Sequence, residues 1–194
     1  MLLDAIVSPG RPEKSLSRYN ETAGGVIWIT GLAQVGKTTT ARTLAAALEA
    51  CGRRPVLLDG DAMRVILDDF GYAPDARRRL AFTYARLARE ISAQGFLVVV
   101  ATISLFHDVH EWNRKNIENY FEVFLEAPLE CLSARKGAGV YARSEEQPLV
   151  GVGIEAEWPV APDLRFCTND GLTPERISEL ILDGLRTGAG VNIS

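Results

Sequence analysis

Between Gly31 and Thr38 the chain reads G-L-A-Q-V-G-K-T, a short loop framed by glycines, with a lysine and a hydroxyl directly after the second. These residue types suit an anion. Glycines let the backbone curl until successive N–H groups point inward. A helix beginning at Lys37 would turn its positive dipole end toward the same point. Lys37 would reach the β- and γ-phosphates of a bound nucleotide, and Thr38 would offer its hydroxyl to Mg²⁺. The residues expected to hold a nucleoside triphosphate are therefore Gly31, Leu32, Ala33, Gln34, Val35, Gly36, Lys37, Thr38 and Thr39. A plain glycine turn before a capped helix is the weaker account, because the pattern falls between a predicted strand and a predicted helix.

A second chemical group follows the next strand-like run, in Leu57-Leu58-Asp59-Gly60-Asp61-Ala62-Met63-Arg64. In a parallel sheet the C-terminal ends of the strands line the ligand crevice. Asp59 and Asp61 should therefore face the same cleft as the loop. Asp59 is placed to accept a proton from an attacking hydroxyl or to hold Mg²⁺. Asp61 either caps the next helix or touches metal-bound water, and Arg64 suits an anionic substrate. No N-K-x-D or T-K-x-D run for reading guanine occurs, and the apolar strand FLVVVAT ends at Ala101-Thr102 without the Asp of a Walker B motif.

The elements that must carry these groups alternate along the chain. Strands are predicted at 25–30, 55–59, 96–102, 120–127 and 164–169. The third, FLVVVAT, is apolar throughout, as expected of a strand covered on both faces. Helical patterns run from Lys37 to Ala50, Pro74 to Gln94, His107 to Asn119, Pro128 to Arg135 and Thr173 to Leu185. Cys51-Gly52 and Gly95 read as helix stops, and Pro74, Pro128 and Pro174 suit first turns. Alternation of this kind implies an α/β fold, a three-layer sandwich with a five-stranded parallel sheet and helices on both faces. Residues 136–162 fit no element well and are long for a plain connection, so they read as a lid. Residues 1–24 read as an extension, 25–187 as one domain, and 188–194 as a tail.

Composition bounds the rest. The 194 residues suffice for one domain, with 47% hydrophobic and 24% charged residues. A net charge of −4 gives no bulk attraction to nucleic acid or anionic lipid. No apolar run approaches the roughly 20 residues of a membrane span. Cys51, Cys131 and Cys167 form no metal pair and no even set, which fits a reduced, cytoplasmic setting.

The ordered set GVIWITGLAQVGKTTTARTLAAAL, LLDGDAMR, GYAPDARRR, VVVATISLF and YFEVFLEAPLECLSAR resembles the adenylyl-sulfate kinases, over about Gly25 to Leu185. The resemblance implies a P-loop kinase fold, commonly dimeric, that transfers the γ-phosphate of ATP to the 3′-hydroxyl of adenylyl sulfate with Mg²⁺. It makes Asp59 the candidate base and Lys37 the phosphate clamp, with Thr38 and Asp59 at the metal. It places Asp61, Arg64, Tyr72, Arg77, Ser104, Phe106 and Ile154 near the acceptor, and Arg135, Lys136 and Arg143 in the lid.

Departures from the family concentrate on the acceptor side. The family's I-S-P-[FY]-R becomes Ile103-Ser104-Leu105-Phe106-His107, so a fixed positive charge is replaced by imidazole. The lid lysine of the family falls on Ala138, with Lys136 nearby. The aromatic that helps sandwich the acceptor adenine falls on Gly151, leaving Tyr72 for one face and Trp158 as a candidate for the other. Glu111-Trp112-Asn113-Arg114-Lys115-Asn116 resembles a run in relatives from capsule clusters, one of which phosphorylates cytidine diphosphoramidate. Trp112 and Arg114 then either read the acceptor or belong to an ordinary, partly exposed helix. His107, His110 and the cysteines read as structural. The leading expectation is an ATP-dependent kinase acting on a nucleotide hydroxyl. Its rivals are a nucleotide-binding module without transfer and a GTPase or ATPase switch.

Overall fold

A computed structural model of the chain describes residues 24–135, 149–187 and 191–193. The main sheet contains β1 (Gly25–Thr30), β2 (Val56–Asp59), β3 (Leu97–Ala101), β4 (Tyr120–Glu126), β7 (Leu164–Cys167) and β8 (Val191–Ile193). Their order is β2-β3-β1-β4-β7-β8, parallel throughout. The five predicted strands are all present. The sixth, β8, comes from the stretch read as a tail, where three residues are too short to give a periodic signal. Two very short strands, β5 (Leu149–Val150) and β6 (Gly153–Ile154), pair in the stretch that fitted no element.

The helices are α1 (Lys37–Ala50), α2 (Gly60–Leu67), α3 (Pro74–Ala93), α4 (His107–Asn116), α5 (Leu129–Ala134) and α6 (Pro174–Thr187). Side chains alternate across a strand, and the two cores follow that alternation. Ile27 and Ile29 of β1 and Val99 of β3 join Leu44 of α1 and Ile177 and Ile181 of α6 on one face. Val26, Trp28, Val98 and Val100 join Leu80, Tyr84 and Ala88 of α3 and Val109 of α4 on the other. This is the expected three-layer sandwich. The central strands are buried along their whole length, which is why they read as unbroken apolar runs.

Local signals set the helix ends. Pro74 occupies the first turn of α3, and Gly52 (φ 81°) and Gly95 (φ 91°) follow α1 and α3 in the left-handed region. Helix α2 had no sequence signature of its own. Val65 and Ile66 point to solvent, at 68% and 72% exposure, and only Met63 is buried. Among the described residues no helix is long and apolar enough to cross a membrane.

Candidate active site

The phosphate loop hangs between β1 and α1. Gly31 has φ 149°, and a Cβ there would stand 2.1 Å from the Leu125 carbonyl oxygen, so only glycine fits. Gln34 (φ 62°) and Gly36 (φ 105°) complete the curl in the left-handed region. Gly36 is also the residue before α1, and it supplies no side-chain cap. The first amides of α1 are thus left to an anion rather than to a serine or threonine oxygen. Lys37 Nζ folds back and donates to the Leu32 carbonyl at 2.7 Å. Burial pushes its pKa down to about 8, against the opposing pull of Asp61 and Asp59.

Asp59 joins the loop to the next element. Its Oδ2 accepts from Thr38 Oγ1 at 2.6 Å. Its Oδ1 accepts from the Asp61 and Ala62 amides at 3.1 and 3.4 Å and so caps α2. The capping that the sequence offered to Asp61 therefore belongs to Asp59, because the extended backbone of Asp59 (φ −90°, ψ 129°) is the one suited to a cap. Asp61 lies exposed in the first turn.

A cavity of about 480 Å³ opens from this junction. Of the predicted residues it is bordered by Ala33, Gln34, Gly36, Lys37, Thr38, Thr39, Asp59, Asp61, Arg64, Tyr72, Arg77, Ser104 and Phe106. Leu32 and Val35 instead turn into the core, and Ile154 packs against that core outside the cavity lining. At the far end two guanidiniums flank one ring: Arg64 and Arg77 lie 4.8 and 5.1 Å from the centre of Tyr72. Arg64 donates to the Asp69 and Gly71 carbonyls, both at 3.1 Å, and Arg77 Nε to the Tyr72 carbonyl at 2.7 Å. Burial, then Arg64, lowers the Arg77 pKa. Phe106 is backed by the Arg78 guanidinium at 4.7 Å.

Sequence reasoning missed the wall formed by Thr102, Ile103, Tyr84, Leu149 and Val150. Tyr84 donates its hydroxyl to the Gly60 carbonyl at 3.1 Å, and burial pushes its pKa up to about 12. Its place in the apolar stripe of α3 gave no separate signal. Other expectations are corrected. Trp112 meets Phe82 edge-on at 6.3 Å, and Arg114 bonds buried Glu122, so neither borders the cavity. Trp112 packs against α3 and Arg114 reaches β4, so α4 turns both to the core side of the sheet. Trp158 lies 5.7 Å from Phe124 beside a separate hollow and does not restore the missing aromatic face. Arg135 donates to the Gln34 carbonyl at 2.8 Å and the Thr168 carbonyl at 3.2 Å, bracing the loop. Lys136 and Arg143 lie outside the described residues.

A curled anion loop before an uncapped helix, with Asp59 from the next strand end against Thr38, defines a P-loop fold. A family model described as adenylylsulphate kinase matches residues 23–167. The chain belongs to the adenylylsulphate kinase family. It is 37% identical over 139 residues to a cytidine diphosphoramidate kinase of Campylobacter jejuni, covering 70% of this chain and 82% of that protein. It is 36% identical over 159 residues to an adenylyl-sulfate kinase of Paraburkholderia xenovorans, covering 77% and 89%. The APS kinase CysC of Mycobacterium tuberculosis, solved with AMPPNP and APS, superposes with a TM-score of 0.76 at 26% identity, over 83% of this chain and 96% of that one.

Proposed function

We propose that this protein transfers the γ-phosphate of ATP to a hydroxyl, by family resemblance the 3′-hydroxyl, of a small anionic nucleotide. One observation carries the reading: a single cavity joins Lys37 and the uncapped end of α1 to Arg64 and Arg77, with Asp59 at the junction. Phosphoryl transfer is mostly positioning and charge neutralisation. Lys37 and the α1 amides hold the triphosphate. Thr38 and Asp59 present hard oxygen donors that fit Mg²⁺, whose charge would offset that of the phosphates when bound. Asp59 takes the proton of the attacking hydroxyl. Arg64 and Arg77 hold the acidic tail of the acceptor, and Tyr72 gives its base one stacking face. Lys136 and Arg143 are proposed to gather charge from a lid at about 136–162. The homodimer implied by the family is a separate proposal, for which light scattering is the test.

The family's default acceptor is adenylyl sulfate. A second reading, cytidine diphosphoramidate, is favoured by Gly151. A Cβ at that position would stand 2.8 Å from the Leu32 side chain, at φ +89°. Gly151 has no side chain where the family closes on adenine, and its left-handed backbone disfavours any. Loss of a stacking face costs about 1–3 kcal/mol per base, and a smaller pyrimidine has less area to lose. The test is incubation of purified protein with labelled ATP, Mg²⁺ and each acceptor, with identification of the product. Transfer to the pyrimidine nucleotide alone supports the second reading. ATP binding with transfer to neither would overturn the kinase assignment.

A further inference from the structure

We infer that His110 is a positioning residue, which acts through the Ser104 carbonyl to fix the turn forming the acceptor-side wall of the cavity. The inference rests on reading that wall as the acceptor site. Thr102, Ile103, Ser104 and Phe106 border the cavity. Ser104 has φ 27°, a left-handed conformation that a non-glycine residue keeps only when its surroundings over-determine it. Backbone bonds from the Thr102 amide to the Ile29 carbonyl and from the Phe106 amide to the Ser104 carbonyl hold part of the turn. Three side-chain ties add to them: Thr30 Oγ1 donates to the Ile103 carbonyl, the Thr102 and Ser104 hydroxyls bond at 2.9 Å, and His110 Nε2 meets the Ser104 carbonyl at 2.9 Å. Of these side-chain ties only the last comes from the helical layer, on α4.

The protons of this contact are constrained by what surrounds the ring. A carbonyl oxygen only accepts, so Nε2 must carry hydrogen. Nδ1 faces the carboxylate of Glu122. With an acceptor at each nitrogen, the pair must hold one further proton between Nδ1 and Oε1. Whether ring or carboxyl owns that proton, Nε2–H stays aimed at Ser104, and the tautomer is locked. Burial of the imidazole pushes its pKa down to about 4, against the opposing pull of the Ser104 carbonyl. Glu122 is itself held fast. Its other oxygen accepts from Arg114, and its amide donates to Asp163 Oδ2 at 2.8 Å. Both members of the pair are buried, His110 at 5% exposure and Glu122 at 1%. A buried pair of this cost is weak evidence for stability alone. Here it ends on the strained residue of the cavity wall.

Two variants separate positioning from mere packing. In His110→Gln the amide nitrogen reaches the place of Nε2 and can still donate to Ser104. In His110→Asn the shorter side chain reaches only the place of Nδ1. The acceptor is whichever of adenylyl sulfate and cytidine diphosphoramidate the unaltered protein phosphorylates. His110→Asn should raise the acceptor KM about tenfold, with MgATP affinity unchanged, and His110→Gln should restore it. Hydrogen exchange at the amides of residues 102–106 should quicken in His110→Asn and stay slow in His110→Gln. That readout needs no substrate, so a protein that phosphorylates neither acceptor ends the functional reading while still testing the latch. Equal acceptor KM and equal exchange in the two variants would overturn the inference. If His110→Asn does not fold, Glu122→Gln takes its place. Its amide can donate to Nδ1 and keep Nε2–H on Ser104, so slow exchange at 102–106 is expected and fast exchange refutes the locked tautomer.

Discussion

Replacing Asp59 with Asn isolates one charge at the junction of the two half-sites. The asparagine oxygen can keep accepting from the Asp61 and Ala62 amides, and Asn caps a helix about as well as Asp. What disappears is the carboxylate against Thr38 Oγ1 at 2.6 Å. A hydrogen bond to a charged group contributes about 1.5–3 kcal/mol and a neutral one about 1, so folding stability should fall by about 1 kcal/mol. The chemistry should suffer far more. A positioned base contributes roughly 10²–10⁴ in rate, so kcat should fall at least about a hundredfold while MgATP affinity changes only a few-fold. Labelled ATP reports turnover, nucleotide titration reports affinity, and a urea midpoint reports stability. A kcat within about threefold of the unaltered protein would remove Asp59 as the base. Recovery of turnover at raised Mg²⁺ would assign it to the metal instead.

Three further outcomes are expected. Gly31→Ala forces a Cβ against the Leu125 carbonyl oxygen, 2.1 Å away, so the loop must shift and ATP binding measured by calorimetry should be lost; retained affinity would show the loop to be pliable. With its pKa lowered to about 8, Lys37 is half neutral at pH 8 in the free protein, and phosphate should restore its charge. MgATP binding at pH 8 should then take up about half a proton in buffers of differing ionisation heat, little at pH 6.5, and none in Lys37→Met. For folding the sign is the reverse of an ion pair. The unfolded chain binds the extra proton between about 8 and 10.5, so the cost of burying this lysine is full below pH 8 and fades as pH rises through that window. Arg64→Ala should raise the acceptor KM by about tenfold to a hundredfold, the loss of a charge-assisted contact, and leave ATP affinity alone; an unchanged KM in steady-state assays would move the acceptor elsewhere.

Much of this was legible in the chain because the signals are local. The loop from Gly31 to Thr38 is contiguous, and its glycines, lysine and threonine mean the same thing wherever they occur between a strand and a helix. The five predicted strands and the long helices announce themselves through apolar runs and helical spacing. Helix α2 did not, since its eight residues are short for a periodic signal and Val65 and Ile66 face solvent rather than the core. Strand β8 did not, since three residues carry no period. The sequence assigned Asp59 and Arg64 to the cleft from their place after a strand end, and Tyr72 only by resemblance. It left Asp59 and Asp61 to compete for the cap, and it let Trp112 and Arg114 stand as acceptor readers.

Tertiary structure decided those points because each depends on partners far along the chain. The register of β2 against β3 brings Asp59 level with Ala101, and so sets the carboxylate next to Thr102 and the acceptor wall. Packing of α4 on β4 turns His110 and Arg114 inward to Glu122. No spacing within a helix can say which neighbour its polar face will meet. The sequence by itself determined a glycine-framed anion loop before an uncapped helix, through backbone geometry that a few consecutive residues dictate. Which residues line the cavity opposite the loop, and what holds them, came only with the sheet, because strand order and register alone bring distant side chains to hydrogen-bonding distance.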